Sequence, residues 1–552
     1  MALRRYIKRS AKYSKPLSIA QTLPVEVLCM IYNISADINP PRYIQKKKKP
    51  YLCCVLLTHV CSRWRNIGLN FSHFWGKIVS SLPAATGVFL ERARNAPLTI
   101  LPGDGYIGAS DAARSKQYLT IQALAHLHSD RIACFDLIHT YHDPRIYNDD
   151  WLSVLEMPGF GRSLTTLVLL PHVRLPTDSA GGRTMHFKFP HLRYLRYHQP
   201  EIIFVAPSLS SLALDMSGPE VSARFQPTMF TAFLDTVRHA PHLRELRFAI
   251  DDLPSHAKAA FTEILTRTSA SDAIVLPSLR HIGLDGSLRF CSKVLSSITA
   301  PPNATIHYYV REICVDENTE FMSQAISLLH CMRPQLSHSG HESLALGISY
   351  RKLDIGLSCL VNIDRVWPAK SHVPHICISM RFRRKGYPLE PDQTVTFPAM
   401  EVMRVFLHLL HANSIQKMDL SLCRAEQSAV IDAIRTCTFP SLEELTLDIA
   451  SPAYLRALVW QPSIAPALCR LRITNARYER SRKRWRGYWS SLAKDIEASD
   501  GRITSVHLCG ARFVYPNQYM SHIWANEIRF LMTTLKGIRR IERVGGIRET
   551  PP

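Results

Sequence analysis

The densest run of chemistry-bearing side chains lies near the C-terminus, in Arg477-Tyr478-Glu479-Arg480-Ser481-Arg482-Lys483-Arg484-Trp485-Arg486-Gly487-Tyr488-Trp489. Guanidinium groups pair with phosphates and aromatic rings stack on bases, so Arg480, Arg482, Lys483, Arg484, Trp485 and Arg486 make a basic contact patch suited to nucleic acid. The same charges also suit a nuclear import signal, an acidic partner, or a solvated loop after an apolar strand. The formal net charge is +22. Its excess is local, because residues 1–50 hold 11 Lys and Arg against 2 acids, and residues 470–486 hold 8 against 1.

Other constellations are weaker. Gly103-Asp104-Gly105-Tyr106-Ile107-Gly108 fits G-x-G-x-x-G and follows Leu98-Thr99-Ile100-Leu101. In a dinucleotide site such glycines let pyrophosphate approach a helix N-terminus, and an acid about 20 residues on holds the ribose. Asp130 lies near that distance, but the apolar segment beside it, Ile132-Phe135-Leu137, is accounted for as a repeat strand, so no cofactor is expected. The 14 cysteines contain no Cys-x-x-Cys pair, and Cys53, Cys54 and Cys61 with His59 read as helix interior, not as a metal site. No nucleophile elbow, P-loop lysine or His-Glu-x-x-His helix occurs, and His191, His242 and His281 sit where a repeat selects core or turn residues. An enzyme is not expected.

What must position any binding surface is legible at both ends of the chain. Leu23-Pro24-Val25-Glu26-Val27-Leu28 starts a helix at Pro24, whose missing N–H costs nothing there, with Glu26 at the positive end of the helix dipole. Leu23, Val27, Leu28 and Ile31 form one apolar stripe, and Val60, Trp64 and Ile67 form another on a second short helix. Between them, Asn39 to Pro50 is a proline-bounded basic segment that reads as a loop. Arg4, Arg5, Lys8, Arg9, Lys12 and Lys15 form a basic arm ahead of the first helix, where Pro16 stops any presequence-like pattern.

The Leu-Pro-x-Glu-x-Leu start, the Val60-Cys61-x-Arg63-Trp64-Arg65 core and the following Trp75 resemble the F-box, in the divergent form that precedes leucine-rich repeats in large fungal families. The resemblance covers about residues 20–80. It implies docking on a Skp-type adaptor, and through it a cullin–RING ubiquitin ligase, with Leu23, Pro24, Leu28, Ile31, Val60, Cys61, Trp64, Arg65 and Trp75 as the matching adaptor-binding positions.

Beyond residue 120 a pattern apolar-x-x-apolar-x-apolar recurs, often with proline two residues ahead. Clear copies are Leu192-Leu195-Tyr197, Leu209-Leu212-Leu214, Leu243-Leu246-Phe248, Leu279-Ile282-Leu284, Leu442-Leu445-Leu447 and Leu468-Leu471-Ile473. Weaker ones are Ile132-Phe135-Leu137, Leu164-Leu167-Leu169, Ile415-Met418-Leu420 and Ile503-Val506-Leu508. Alternation makes each a short strand with one buried face, and the leading residue turns the chain inward, the pattern of a leucine-rich repeat. Helical periodicity intervenes at Phe230-Phe233-Leu234-Val237 and Val402-Val405-Phe406-Leu409. Spacings of 34, 36, 27, 26 and 35 residues between leading positions make the array irregular. Residues 286–400 are least regular, with strand candidates only at Leu344-Leu346-Ile348 and Ile376-Ile378-Met380.

The expectation is therefore an α/β chain: a basic arm at 1–19, an all-α F-box-like module at 20–80, a connecting segment at 81–120, and an irregular leucine-rich-repeat solenoid at 121–545, with parallel strands on one face and helices on the other. With 46% hydrophobic and 20% charged residues it should fold, and no apolar run is long enough for a membrane span or a signal-peptide core. Unpatterned cysteines suit reduced thiols in the cytoplasm or nucleus. The function expected is substrate recognition for a cullin–RING ligase, with the repeats holding an unidentified protein. The alternative is a basic repeat scaffold that binds nucleic acid or an acidic protein.

Overall fold

A computed structural model of the chain describes residues 19–44, 49–101, 111–137, 151–169, 185–198, 202–216, 227–250, 273–314, 318–338, 340–341, 343–351, 354–361, 376–383, 396–421, 427–448, 463–474, 482–497, 499, 501–509 and 540–544. The basic arm as far as residue 18, the Gly103–Gly108 motif and Arg480 lie outside them. The protein is mixed α/β, its largest sheet mostly parallel. It comprises two compact units, Met1–Leu243 with Ser255–Phe261, and Arg244–Pro254 with Thr262–Pro552.

The first unit opens with a small helical module. Helix α1 (Val25–Ile38) begins one residue later than the sequence suggests, with Pro24 as its N-cap and Glu26 in its first turn. The basic segment is not a plain loop. It contains an antiparallel ribbon, β1 (Arg42–Ile44) against β2 (Lys49–Tyr51), in which Arg42 faces Tyr51. A 3₁₀ segment at Cys53–His59 follows, then α2 (Ser62–Asn70), α3 (Ser72–Lys77) and α4 (Thr86–Ala93). Tyr32, Trp64, Phe74, Trp75 and Phe89 fill the space between these elements. Gly76 allows α3 to abut the chain beyond it, since a Cβ there would lie 2.4 Å from the Pro97 carbonyl oxygen.

The rest of the unit carries β3 (Leu98–Ile100), α5 (Asp111–Leu127), β4 (Ile132–Asp136), α6 (Trp151–Glu156), β5 (Thr166–Val168), β6 (Met185–Lys188), β7 (Tyr194–Tyr197), β8 (Ile202–Val205), β9 (Ser211–Met216) and α7 (Pro227–Arg238). Strands β3, β4, β5, β7 and β9 pair in that order and all in parallel, while β6 and β8 pair with each other.

In the second unit the principal described elements are β10 (Glu245–Ile250), β11 (Ile274–Val275), β12 (His281–Asp285), α8 (Leu288–Ser296), β13 (Ile298–Thr299), β14 (Thr305–Cys314), α9 (Asn318–Cys331), β15 (Ser343–Arg351), β16 (Asp354–Val361), β17 (Ile376–Arg383), α10 (Thr396–Leu409), β18 (Lys417–Asp419), α11 (Gln427–Arg435), β19 (Glu444–Asp448), β20 (Arg470–Thr474), α12 (Arg482–Glu497), β21 (Ser505–Cys509) and β22 (Arg540–Val544). Their main sheet runs β10-β12-β14-β17-β16-β15-β18-β19-β20-β21-β22. It is parallel except for β16, which pairs antiparallel with both β15 and β17.

The recurring proline has a physical reason. Before each clear strand the N–H of the leading leucine donates to the carbonyl three residues back: Leu192 to Phe189, Leu209 to Ala206, Leu243 to Ala240, Leu279 to Leu276, Leu442 to Phe439 and Leu468 to Ala465, at 3.0–3.3 Å. Proline then occupies the second position of a four-residue turn, where its fixed φ is pre-set. His191 and His242 occupy the third position and are exposed. The turn drives the leading leucine into the interior, and the strand alternation buries the next two apolar residues with it, as at Leu209, Leu212 and Leu214.

Candidate protein-docking site

The helical module is held by aromatic packing in which two buried polar tips find backbone partners. The Tyr32 hydroxyl donates to the Trp64 carbonyl oxygen at 2.9 Å, and Trp75 Nε1–H donates to the Gly68 carbonyl oxygen at 2.8 Å. The Tyr32 and Phe74 rings meet edge to face at 5.0 Å, and the Arg92 guanidinium lies 4.6 Å above the Trp75 ring. Burial pushes the Tyr32 hydroxyl up to about 12, so it remains a donor. Leu28, Trp64 and Trp75, which the sequence assigns to an adaptor-facing surface, are interior residues here. Large apolar side chains at helical spacing stabilise most by leaving water, and this module is too small to spare them.

A different row faces outward. Leu28, Tyr32 and Ala36, four residues apart, form the buried side of α1. Met30, Ile34 and Ile38 are also four apart but offset by two, which puts them on the opposite side, and they are 58%, 49% and 78% exposed. Val27 and Ile31 flank this row and are half-buried. A helix apolar on opposite sides is the kind normally enclosed on both. The polar residue Asp37 points to Lys77, whose Nζ lies 2.6 Å from its carboxylate. Met30, Ile34 and Ile38 escape a sequence reading that seeks one stripe per helix; the second i, i+4, i+8 row was the available signal.

The remaining expected residues are dispersed. Pro24 and Arg65 are exposed, Leu23 is half-buried, and Cys61 is the half-buried N-cap of α2. Val60 does not share a stripe with Trp64. It ends the 3₁₀ segment and is exposed, as is Leu56 within that segment. Arg65 Nε–H donates to the Thr58 carbonyl oxygen at 3.2 Å. Arg63, not among the expected site residues, clamps the start of the module by donating to the Gln21 carbonyl oxygen and, at 2.5 Å, to that of Leu23.

In the second unit, the side of the sheet away from the leucines is charged. Lys417, Glu444, Arg470 and Ser505 lie in register across β18 to β21. Arg470 Nη2 is 2.6 Å from Glu443 Oε2 and its Nε is 3.7 Å from Glu444 Oε2, and Arg472 Nη1 is 3.9 Å from Glu444 Oε1. Asp419 is pushed up by burial, against its hydrogen bonds with Ser421 and the nearby Arg472 charge. Arg482, Lys483, Arg484, Trp485 and Arg486 do not sit in a loop after β20; they form the first turns of α12. Among the described residues no three His, Cys, Asp or Glu side chains are grouped to hold a metal ion, and no helix is long and apolar enough to cross a membrane.

Compared with known proteins, the chain matches no protein-family model and no curated protein.

Proposed function

We propose that the protein is a receptor subunit of a cullin–RING ubiquitin ligase of the Skp-adaptor type, with residues 20–80 as an F-box-like docking module and the strand–helix repeats as an irregular leucine-rich-repeat surface for a protein to be ubiquitinated. The observation that carries this reading is the outward row Met30, Ile34 and Ile38 on a helix whose other side is already packed. Such a row gains free energy when a partner's apolar surface covers it. The F-box resemblance names the partner. The mechanism is placement, since a tethered target presents its lysines to the conjugating enzyme at high effective concentration.

The test is co-purification of the full chain with a Skp-type adaptor, beside a variant carrying Met30→Ser, Ile34→Ser and Ile38→Ser. The wild type is expected to retain adaptor and cullin, and the triple variant to lose both with its unfolding transition unchanged. A wild type that retains neither overturns the proposal.

A second reading, a scaffold for nucleic acid or an acidic protein, is favoured by one observation. Three basic residues, Arg482, Lys483 and Arg484, fill the first turn of α12, where the dipole disfavours cations by about 0.3–1 kcal/mol each. An anionic partner would offset that cost.

A further inference from the structure

The outward side of the second unit's sheet holds a histidine pair unlike the turn histidines. His281 on β12 and His307 on β14 lie on neighbouring parallel strands, and their rings meet perpendicularly with centroids 4.7 Å apart. His281 Nδ1 is 2.8 Å from Thr305 Oγ1, and Thr305 Oγ1–H donates to the Arg280 carbonyl oxygen at 2.9 Å. A threonine hydroxyl has a single proton. With that proton on Arg280, the hydroxyl must accept from His281, which fixes the proton on Nδ1 and leaves a bare lone pair on Nε2.

That lone pair borders an opening. Gly283 sits between His307 and Arg247 in register, and a Cβ built there would lie 3.7 Å from His281 Nε2 and 3.5 Å from Arg247 Cγ. The glycine thus leaves a notch floored by backbone, with His281 Nε2 on one wall and His307 beside it. An imidazole with one nitrogen committed to a hydroxyl and the other free is the usual disposition of a metal ligand, the outer partner fixing tautomer and ring orientation. The charges beside the notch are mixed: Arg247 contributes one positive charge and is 4.0 Å from Glu245, which pairs with His281 in register, and Asp285 follows two residues along β12. The geometry points to a divalent transition-ion site in which His281 Nε2 and His307 supply the protein ligands, Thr305 orients His281, and water fills the remaining positions. Imidazole pairs suit zinc and copper ions rather than the oxygen-seeking magnesium or calcium.

The test uses the full chain, stripped with chelator and titrated with Zn²⁺ alone in a calorimeter. Wild type is expected to show one saturable equivalent that His281→Gln or His307→Gln abolishes. Thr305→Val is expected to weaken it about 10–100-fold, as loss of an outer-shell partner does, while Thr305→Ser, which keeps the hydroxyl, restores it. Arg247→Gln should tighten binding by removing a nearby positive charge. Unfolding midpoints of each variant separate loss of the ion from loss of the fold. Absence of a saturable equivalent in wild type, or its survival in the folded His281→Gln, His307→Gln double variant, overturns the site.

Discussion

The ring of Tyr32 occupies the space that the missing side chain of Gly68 leaves: a Cβ at residue 68 would stand 2.5 Å from the Tyr32 hydroxyl oxygen and 2.6 Å from its Cζ. Helices α1 and α2 can approach closely enough for that hydroxyl to reach the Trp64 carbonyl only because position 68 is bare.

Gly68→Ala should therefore destabilise the helical module, although alanine alone would favour a helix by about 1 kcal/mol. Overpacking a closed core costs about 1–3 kcal/mol. In a Tyr32→Leu background the same substitution should become neutral or stabilising. Urea unfolding followed by tryptophan fluorescence measures both; equal effects in the two backgrounds would sever the link between these residues.

Interior and exterior residues of the module should separate cleanly. Trp64→Ala should cost about 3–5 kcal/mol and Leu28→Ala about 2–5 kcal/mol, because each empties a packed core. Ile34→Ser should shift stability by no more than about 0.5 kcal/mol. If adaptor binding tracks stability through all three variants and Ile34→Ser still binds, α1 does not dock through its outward row.

Asp419 offers a pH test with a definite sign. Its folded carboxyl is lifted above the ordinary unfolded value of about 3.9, so between those values the folded chain holds the extra proton, and stability falls as pH rises through that window. Asp419→Asn keeps an oxygen to accept from the Ser421 N–H, which is 2.8 Å away, and removes the buried charge. The variant should be the more stable at neutral pH, with the advantage shrinking as pH approaches about 4. Parallel midpoint-against-pH curves for the two proteins would refute this account.

The basic turns of α12 make the competing scaffold reading testable. If they contact phosphates, binding to single-stranded oligonucleotide should fall with salt at a log–log slope of about −0.7 per contact. Arg482→Ser, Arg484→Ser and Arg486→Ser together should flatten it. Replacing Trp485 should cost about 1–3 kcal/mol more if a base stacks there. Wild type and triple variant binding alike at low salt would leave the cluster with no nucleic-acid role.

Six parallel strands, β7, β9, β10, β12, β19 and β20, were the most legible because two signals coincide in them: a proline that pre-forms a turn, and a period of two that declares one buried face. Leu209, Leu442 and Leu468 illustrate this, each following its proline by two residues. The antiparallel β16 carries the same alternation, in Ile355, Leu357, Cys359 and Val361, but no proline stands two residues ahead of it, so nothing in the sequence announces its direction. In the helical module, Leu28 and Ile31 look equivalent as apolar positions, yet the core row continues through Tyr32 and Ala36. Tyrosine reads as half-polar until its hydroxyl is seen to reach Trp64, and only that contact decides which side of α1 faces in.

The reversed strand also sets a timetable for the chain's birth on the ribosome. Elsewhere in the second unit's ladder a strand finds its neighbour soon after emerging, but β14 pairs with β17, while β15, made earlier than β17, pairs with β18. The edge of β14 must therefore stay open until Arg383 has been synthesised, roughly 70 residues after β14 is complete, or about 3–14 s at ordinary elongation rates. During that interval an unpaired strand edge is exposed to other nascent chains. The interval from residue 315 to 383 is thus where slowed translation or chaperone capture would most alter the yield of native protein.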